Sequence, residues 1–405
     1  MSKKTNKIIL KEQLSFLSKL ELAILSHFSH NENYESVKTY LNPTFNVLGK
    51  IQKNKSDLEA RELNETDDFS FLKEIFKAKF LPKSDSDFTF IDLFAGIGGF
   101  RVAAQNEGGR CVFSSEWDEK AQLTYQHNFG EVPFGDITKK EIKNLIPENF
   151  DLLCGGFPCQ AFSIAGYQKG FEDTRGTLFF DVAEIIKKHK PKAVFLENVK
   201  NLVSHDGGKT FQVIKKTLED LGYLVHYQVL NASEYANVPQ NRERIFIVGF
   251  NKEKVPNAKS FEFPQKRKLT KTISDCIDYS NNDSALVYTE RFGHYSELIE
   301  NMKNINTLYQ WRRQYVRENK SNLCPTLTAN MGTGGHNVPL ILTPQNVIRK
   351  LSPKECLNFQ GFPKNYEFPK TIAYSSMYKQ AGNSVVVPAI QAVCHQIRKI
   401  LFPHS

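Results

Sequence analysis

The sequence lacks the apolar runs that would place a chain in or across a membrane. Nowhere in its 405 residues does an uninterrupted apolar stretch approach the roughly 18 residues of a membrane-spanning helix. The amino-terminal segment MSKKTNKIILKEQ returns to charged residues before any apolar stretch reaches the length of a secretory signal. We therefore expect a soluble, cytoplasmic protein that contacts no membrane.

Cysteine is sparse, and its spacing fits neither a disulfide framework nor a metal site. The chain has seven cysteines, an odd number, at positions 111, 154, 159, 276, 324, 356 and 394. No two of them form the C-x-x-C pair of zinc sites and redox centres. We expect no metal.

The 40% hydrophobic content is enough for one large domain and a smaller one.

Acidic residues are less frequent than basic residues in this sequence. The chain has 44 Asp and Glu against 53 Lys and Arg, which gives a net charge of +9. This excess fits a polyanionic partner, because each neutralised phosphate releases condensed counterions. The same excess also serves solubility alone, so charge by itself leaves both interpretations open.

The pattern of the chain changes at Phe88. Residues 1–87 mix short apolar patches with charged runs, which favours several helices joined by polar loops. From Phe88, apolar segments of strand length alternate with amphipathic helices, which is typical of a doubly wound α/β fold with a mostly parallel sheet. The predicted strands are FTFIDLFAG, RCVFSSEW, FDLLCGG, KAVFLENV, LVHYQVLNA and RIFIVGF.

Beyond residue 255 the alternation gives way to a polar, aromatic and basic region that includes YQWRRQYVRENK. A helix is predicted again at SPKECLNFQG, where Ser352 caps the helix and Pro353 takes its first turn. Another helix is predicted at SVVVPAIQAVCHQIRKIL. We expect a smaller, irregular domain between the sheet and this last helix.

A glycine-rich segment joins the first predicted strand to a helix. In Ala95-Gly96-Ile97-Gly98-Gly99, the glycines let backbone amides approach a ligand at the helix amino terminus. A tight strand-to-helix turn without a ligand is the alternative for this segment alone.

The next two predicted strand ends carry groups that suit a nucleoside. Glu116 can accept hydrogen bonds from both hydroxyls of a ribose, and Trp117 can stack on adenine. Asp136 follows a further predicted strand and can accept a hydrogen bond from the adenine amino group, while Ile137 packs on the adenine ring. Open parallel sheets bind ligands at these carboxyl ends. A nucleoside cofactor is predicted, and an NAD enzyme fits this much as well.

The segment DLLCGGFPCQ, residues 151–160, is a buried strand that breaks into a loop. Cys154 lies within the strand and is interpreted as a small buried hydrophobe. Cys159 follows glycines and a proline that fix an irregular backbone, and an accessible thiol there is useful mainly as a nucleophile.

Charged side chains end or precede two further strands. Glu197 closes the apolar run FLENV, where a solvated strand-end carboxylate is the alternative to a catalytic one. Arg242 and Arg244 precede an apolar strand and, two residues apart, can point the same way to hold a phosphate or a carboxyl group. A surface ion pair is the alternative for the arginines.

In this order, these segments resemble the DNA cytosine-5 methyltransferases, especially the compact enzymes of bacterial restriction-modification systems. The resemblance runs from Phe88 to the carboxyl terminus and leaves residues 1–87 outside. It is carried by FAGxGG, GFPCQ, ENV, QxRxR, RKLSPKECLNFQGFP and QAGNS. It implies transfer of a methyl group from S-adenosylmethionine to carbon 5 of a cytosine in a short specific duplex sequence, with S-adenosylhomocysteine as the product.

The resemblance also implies residue roles. It makes Cys159 the nucleophile that adds to carbon 6, Glu197 the carboxyl group on the base, and Arg242 and Arg244 the supports of base and backbone. The residues expected around the cofactor are Phe94, Ala95, Gly96, Gly98, Gly99, Glu116, Trp117, Asp136, Ile137, Pro158, Leu178, Asn383 and Ser384. The segment of Asn383 would have to fold back beside the first strand.

A base inside a duplex is out of reach, so the cytosine must be flipped out, and the loop after Cys159 is expected to close over it. The predicted catalytic domain is 88–272 completed by 375–405, with 273–374 as target-recognition domain and hinge and 1–87 as a helical extension of unknown role. The predicted DNA contacts are Gln160, Ser163, Arg312, Arg313, Arg317, Thr326 and Thr328. For any single arginine, a phosphate contact or a solvated position is the alternative to base recognition.

Two other functions remain open on the sequence. A branch of the same family methylates transfer RNA with the same cysteine and glutamate, although the sizeable recognition region favours DNA. A DNA-binding regulator acting through residues 1–87 is the second alternative, and the intact Cys159, Glu197 and glycines argue against it as the sole role. We expect a protein that acts as a monomer and is paired with a restriction endonuclease.

Overall fold

The computed structural model describes residues 17–31, 35–40, 43–44, 46–47, 73–158, 178–312, 314–333 and 338–403. Four residues with predicted roles, Cys159, Gln160, Ser163 and Arg313, lie outside the described residues.

A sheet of six strands organises the chain from Phe88 onward, in the order β2-β1-β3-β4-β6-β5. The strands are β1 Phe88–Leu93, β2 Gly109–Ser115, β3 Leu152–Gly156, β4 Ala193–Val199, β5 Tyr223–Asn231 and β6 Glu243–Asn251. Neighbouring strands run parallel except β6, which is antiparallel to both β4 and β5. The α/β fold with a mostly parallel sheet is confirmed, and each of the six segments from FTFIDLFAG to RIFIVGF contains a strand.

Helices cover both faces of this sheet. The α-helices are α1 Lys19–Asn31, α2 Gly99–Asn106, α3 Glu119–Phe129, α4 Lys140–Lys143, α5 Leu178–His189, α6 Lys209–Asp220, α7 Ala232–Tyr235, α8 Tyr295–Asn301, α9 Pro353–Phe359, α10 Tyr374–Asn383 and α11 Val387–Leu401. The 3-10 turns are Glu35–Tyr40, Lys200–Val203, His205–Gly208, Ala258–Ser260, Ser274–Cys276, Ser284–Leu286 and Ala329–Gly332.

Alternation along β1 divides the core between the two faces. Phe90 packs in the cluster that contains residues of α2 and α11, whereas Ile91 packs in the cluster that contains residues of α5, α6 and α1. Successive side chains of a strand point to opposite faces, so a strand covered on both sides needs an almost continuous apolar run. These continuous apolar runs explain why the strands could be predicted from the sequence.

A second sheet lies within the predicted target-recognition region. Its four strands are β7 Tyr309–Trp311, β8 Val316–Glu318, β9 Leu340–Leu342 and β10 Ile348–Lys350, in the order β10-β9-β7-β8 and all antiparallel. The sequence did not predict this sheet, because strands of three residues show no periodicity. The domain boundaries themselves stay a prediction.

The carboxyl-terminal elements follow the sequence closely. Ser352 caps α9 in a capping box with Glu355, and Pro353 stands at the first turn, as predicted. The segment after α10 returns to the first strand, because Val385 packs against Gly99, where an added Cβ would lie 2.6 Å from Val385 Cγ2. The predicted return of this segment is therefore confirmed.

One predicted strand is wrong. The segment before Asp136 and Ile137 forms only an isolated bridge, between Ser115 and Phe134. The ladder does not extend back to Val132, because the Val132 amide donates to Ser26 Oγ at 3.0 Å instead of to β2. Phe134 still donates to Ser114 O at 2.8 Å and accepts from Glu116 N at 2.9 Å, so the segment lies at the outer edge of β2.

The described helices include none that is both long enough and apolar enough to cross a membrane.

Candidate functional site

A cavity of about 600 Å³ opens at the carboxyl ends of β1 to β4. Twelve of the predicted cofactor residues line it: Phe94, Ala95, Gly96, Gly99, Glu116, Trp117, Asp136, Ile137, Pro158, Leu178, Asn383 and Ser384. Three of the predicted catalytic residues, Glu197, Arg242 and Arg244, line the same cavity. Segments far apart in the sequence therefore meet in one space, while the role of each residue stays a prediction.

The glycine-rich turn between β1 and α2 is held open toward the cavity. Phe94 and Gly96 both have positive φ, at 55° and 54°. The amide of Gly96 donates to Glu116 Oε2 at 2.8 Å, which ties the turn to the end of β2. The turn is thus a fixed cradle rather than a loose loop.

Gly98 differs from the other predicted cofactor residues because it does not line the cavity. It is the amino-terminal cap of α2 with φ of 82°. A Cβ on it would lie 2.2 Å from Phe129 Cε2. Its structural task in the described chain is to let α2 begin directly against α3.

Glu116 lies at the end of β2 with its carboxyl group fixed by two backbone amides. Oε2 accepts from Gly96, and Oε1 accepts from Asp118 N at 2.7 Å. Burial raises the pKa of Glu116, and these two hydrogen bonds oppose that change. Each carboxylate oxygen can accept a further hydrogen bond, which leaves capacity for ribose hydroxyls.

Trp117, next to Glu116, is 73% exposed although it lines the cavity. An aromatic face left open beside a fixed carboxylate suits the base of a nucleoside. On the opposite side, Ile137 is buried and Asp136 Oδ1 accepts from Thr138 N at 3.0 Å, which fixes the aspartate side chain. The residues and the volume fit a nucleoside cofactor, since ligand cavities range from about 300 to 1,000 Å³.

Glu197 forms the second centre of the cavity. It is buried near the end of β4, and Arg244 Nε lies 3.0 Å from its Oε1. A Cβ added to Gly156 would lie 3.5 Å from Glu197 Oε2, so the end of β3 comes close to this carboxyl group. Burial raises the pKa of Glu197, and Arg244 followed by Arg242 opposes that change.

Arg242 does not hold a carboxyl group as its partner Arg244 does. Its guanidinium donates to three backbone carbonyls, Leu327 O at 2.6 Å, Ser384 O at 2.7 Å and Gly382 O at 3.1 Å. Burial lowers the pKa of Arg242 to about 9, and Arg244 adds to the effect, so the side chain stays charged at neutral pH. Arg242 therefore joins β6 to two distant segments that border the cavity.

The end of β3 leads to the predicted nucleophile. Asn198 Nδ2 donates to Phe157 O at 2.8 Å and so fixes the backbone just after β3. Pro158, which directly precedes Cys159 in the sequence, lines the cavity. Cys154 is fully buried within β3, and burial raises the pKa of its thiol, which confirms its interpretation as a core residue.

The predicted DNA-contacting residues form a separate group. Arg312 and Arg317 are exposed at β7 and β8, and neither lines the cavity. Thr326 and Thr328 are exposed near Arg242, and Thr326 Oγ1 donates to Asn241 O at 2.6 Å. Arg312 and Arg317 thus lie at the small sheet and outside the cavity that contains Glu197.

Lys379 and Asp118 are among the cavity residues that the sequence did not predict. Lys379 Nζ on α10 lies 3.0 Å from Asp118 Oδ2, and both residues line the cavity. Burial raises the pKa of Asp118, but hydrogen bonds from Lys379 and from backbone amides outweigh it, so the net pKa is lowered. The position of Asp118 right after Glu116-Trp117 was a usable signal, whereas no local pattern marks Lys379.

Residues 88–399 match the family described as C-5 cytosine-specific DNA methylase. The relative "Type II methyltransferase M.Bsp6I" from Bacillus sp. (strain RFL6) is 52% identical over 312 residues, which cover 76% of this chain and 97% of the relative. "Type II methyltransferase M.HpaII" from Haemophilus parainfluenzae is 46% identical over 358 residues, covering 80% of this chain and 92% of the relative.

Solved structures show the same fold at low identity. The Dnmt2 methyltransferase of S. pombe superposes with a TM-score of 0.58 at 19% identity and covers 78% of this chain and 99% of its own. A putative DNA modification methyltransferase encoded within a prophage of E. coli gives a TM-score of 0.55 at 19% identity, with coverage of 78% and 99%. At this identity the likeness concerns the fold alone.

Proposed function

The chain belongs to the C-5 cytosine-specific DNA methylase family, whose members transfer a methyl group from S-adenosylmethionine to carbon 5 of cytosine, and we propose that the cavity at the carboxyl ends of β1 to β4 is where this transfer takes place. One observation carries the proposal: the glycine-rich turn bonded to Glu116 and the Glu197–Arg244 pair line a single cavity. The first suits a nucleoside cofactor, and the second suits a pyrimidine.

In this proposal the cofactor and the cytosine bind at opposite ends of the cavity. Gly96, Glu116, Trp117 and Asp136 hold the nucleoside end of the cofactor, and S-adenosylmethionine when bound supplies a methyl group on a sulfonium. Glu197 and Arg244 hold the cytosine. The Lys379–Asp118 ion pair closes one wall between α10 and α3.

Cys159 acts as the nucleophile in this proposal. Its thiolate forms a bond to carbon 6 of cytosine, which makes carbon 5 electron-rich enough to accept the methyl group. Loss of the carbon 5 proton and cleavage of the sulfur–carbon 6 bond then restore the aromatic ring and the free thiolate. The position of Cys159 directly after Pro158, a cavity residue, supports this role.

Glu197 supplies a proton to the ring at N3 during the addition. The raised pKa of its buried carboxyl group suits this task, because a protonated acid can donate to N3 while its other oxygen accepts from the exocyclic amine. Thymine carries a carbonyl where cytosine carries this amine, so the same contact selects cytosine. Arg244 fixes the orientation of the carboxyl group.

The substrate is duplex DNA containing a short specific sequence. A base that is still paired inside a duplex cannot reach the buried Glu197, so the cytosine enters by rotation out of the helix. The basic small sheet with Arg312 and Arg317 faces the DNA and reads the sequence, and Thr326 and Thr328 hold the strand of the flipped base. Gln160 and Ser163 contact the DNA from the loop that follows Cys159.

The biological role proposed is protection of host DNA in a restriction-modification system. The relatives M.Bsp6I and M.HpaII are both named type II methyltransferases, at 52% and 46% identity. Pairing with an endonuclease of the same specificity is part of this proposal, as are action as a monomer and location in the cytoplasm.

Trapping of a covalent complex tests the catalytic residue. Duplex DNA in which the target cytosine is replaced by 5-fluorocytosine should form a stable adduct with the wild-type chain in the presence of S-adenosylmethionine, because fluorine cannot leave as the proton does. Cys159→Ser should give no adduct and no methyl transfer, while Cys154→Ser, whose thiol is buried in β3, provides the control for cysteine loss. An adduct or full activity in Cys159→Ser would refute the proposal.

A further inference from the structure

The amino-terminal extension, residues 1–87, lies outside the family match and has no role in the proposed chemistry. Its described helix α1 nevertheless packs against the edge of the catalytic sheet, beside β2. Sheet edges carry unpaired backbone groups that need a cover. Tyr40 supplies one, because its hydroxyl donates to Val112 O of β2 at 2.9 Å. Ser26 Oγ supplies another by accepting from Val132 N at 3.0 Å.

His27 of α1 packs directly against the catalytic sheet. Its ring is fully buried, and its Nε2 lies 3.1 Å from Ser114 Oγ of β2. The ring also stacks on Phe134, with centroids 4.4 Å apart and an interplanar angle of 27°. His27 therefore touches both chain segments at this edge of the sheet.

The hydrogen bonds of His27 define its proton. Nδ1 lies 3.0 Å from Ala23 O, which can only accept, so Nδ1 carries the hydrogen. Burial lowers the pKa of His27 to about 4, although Glu131 opposes this, so the ring is neutral at pH 7. Nε2 is then an acceptor for the Ser114 hydroxyl, and the buried Glu131 Oε2 lies 3.4 Å from the same nitrogen.

The two segments that His27 contacts lead directly into the cavity. Ser114 precedes Glu116 by two residues, and Phe134 precedes Asp136 by two. These segments are also bonded to each other, since Phe134 N donates to Ser114 O and Glu116 N donates to Phe134 O. Both segments that His27 contacts therefore lead, within two residues, to an acidic residue of the nucleoside end.

We propose that the amino-terminal extension is part of the cofactor site and that His27 is a positioning residue which, through Ser114 and Phe134, holds Glu116 and Asp136 in the geometry that binds the adenosine group of the methyl donor. This inference rests on the proposed cofactor site. It assigns the extension a task within methyl transfer, apart from any contact with DNA. We expect His27 to affect cofactor binding rather than the chemical step, because its contacts are with Ser114 of β2 and with Phe134, whereas Glu197 lies on β4.

The test is calorimetric binding of S-adenosylmethionine to full-length variants. His27→Asn keeps a donor for Ala23 O but is too short to reach Ser114, and should raise the Kd about tenfold, the usual effect of one buried hydrogen bond. His27→Gln places an amide oxygen near the position of Nε2 and should recover most of the affinity. In methylation assays with saturating cofactor, kcat of both variants should stay near that of the wild type.

His30→Ala is the matched control. His30 lies on the same helix and is also largely desolvated, but its Nε2 bonds Phe76 O, away from the cavity. It should lower the stability of the extension without changing the cofactor Kd. Ser114→Ala removes only the hydroxyl that bonds His27 Nε2. This variant replaces His27→Asn in the test if His27→Asn does not fold. It should match the effect of His27→Asn, and the double variant should add nothing further.

The outcomes separate this inference from the cofactor site itself. Glu116→Ala should lose cofactor binding whatever the state of His27. An unchanged Kd in both His27→Asn and Ser114→Ala, or an equal rise in His30→Ala, would overturn the positioning role while leaving the site intact. An unchanged Kd in Glu116→Ala would show that the cofactor binds elsewhere, and the role of His27 would fall with it.

Discussion

At the scale of single residues, the chemistry depends on how Glu197 is protonated. The carboxyl group is buried, and burial raises its pKa against the opposing effect of Arg244 and Arg242. A carboxyl group in this position holds its proton to higher pH than an ordinary glutamate does. The ion pair with Arg244 orients the group and limits how far the pKa rises.

The pH dependence of methyl transfer follows from this shift. Because the proton is needed at N3, the single-turnover rate should fall as the pH rises through the raised pKa of Glu197. Glu197→Gln can donate a hydrogen bond but cannot titrate, so its rate should be lower and lack this alkaline decline. Glu197→Ala should lose about 100- to 10,000-fold, the usual contribution of a positioned acid. An identical alkaline decline in wild type and Glu197→Gln would contradict the assignment.

The two buried glutamates that the sequence predicted share one property: each lies at the carboxyl end of a strand. Glu116 and Glu197 were found in this way, because an acid that closes an apolar run is conspicuous. Lys379 and Asn198 were not found, since their contacts, with Asp118 and with the backbone of Phe157, join residues far apart in the chain. Arg242 was found as a site residue, but its three carbonyl partners could not be foreseen.

At the scale of elements, the contact between α10 and the segment before the 3-10 turn Ala329–Gly332 shapes one wall of the cavity. An added Cβ on Gly382 would lie 2.2 Å from both C and O of Thr328. Arg242 reinforces this contact by binding Leu327 O on one side and Gly382 O and Ser384 O on the other. Asn383 and Ser384 are thereby fixed beside the cofactor end of the cavity.

Gly382→Ala should separate these two segments, because backbone atoms cannot move aside as a flexible side chain can. We expect a loss of about 1 to 3 kcal/mol in the free energy of unfolding, as for other overpacked sites, and weaker binding of S-adenosylmethionine. Urea unfolding and calorimetry measure both effects. Gly293→Ala is the control, since an added Cβ there meets nothing within 4 Å. Equal behaviour of the two variants would count against the close contact.

Elements were predictable where burial imposes a pattern. The six long strands and the helices α5, α6, α9 and α11 follow from periodicity and capping residues. The strand predicted before Asp136 was wrong because only Phe134 pairs with β2, and the neighbouring amide of Val132 donates to Ser26 of the extension instead. The short strands β7 to β10 escaped prediction because three residues carry too little periodicity to distinguish them from loop.

At the scale of the whole molecule, a family catalytic unit from residue 88 to residue 399 carries an additional amino-terminal extension. Some described residues of that extension pack into the same core as the sheet, with Ala23, Phe28 and Tyr40 in one cluster with Ile91 and Phe134. The sequence marked residues 1–87 as helical but offered no reason for their presence, because their partners lie on β2 and the segment after α3. The positive charge of +9 is consistent with a DNA substrate and did not by itself distinguish it.

The most direct measurement of the central claim is mass spectrometry of nucleosides from DNA treated with the full-length protein and S-adenosylmethionine. Duplex DNA should yield 5-methyl-2′-deoxycytidine, bisulfite sequencing of the same DNA should place it at one cytosine of a short repeated sequence, and transfer RNA should stay unmodified. Methylation at the exocyclic nitrogen of cytosine or adenine, or methyl transfer to RNA alone, would contradict the account.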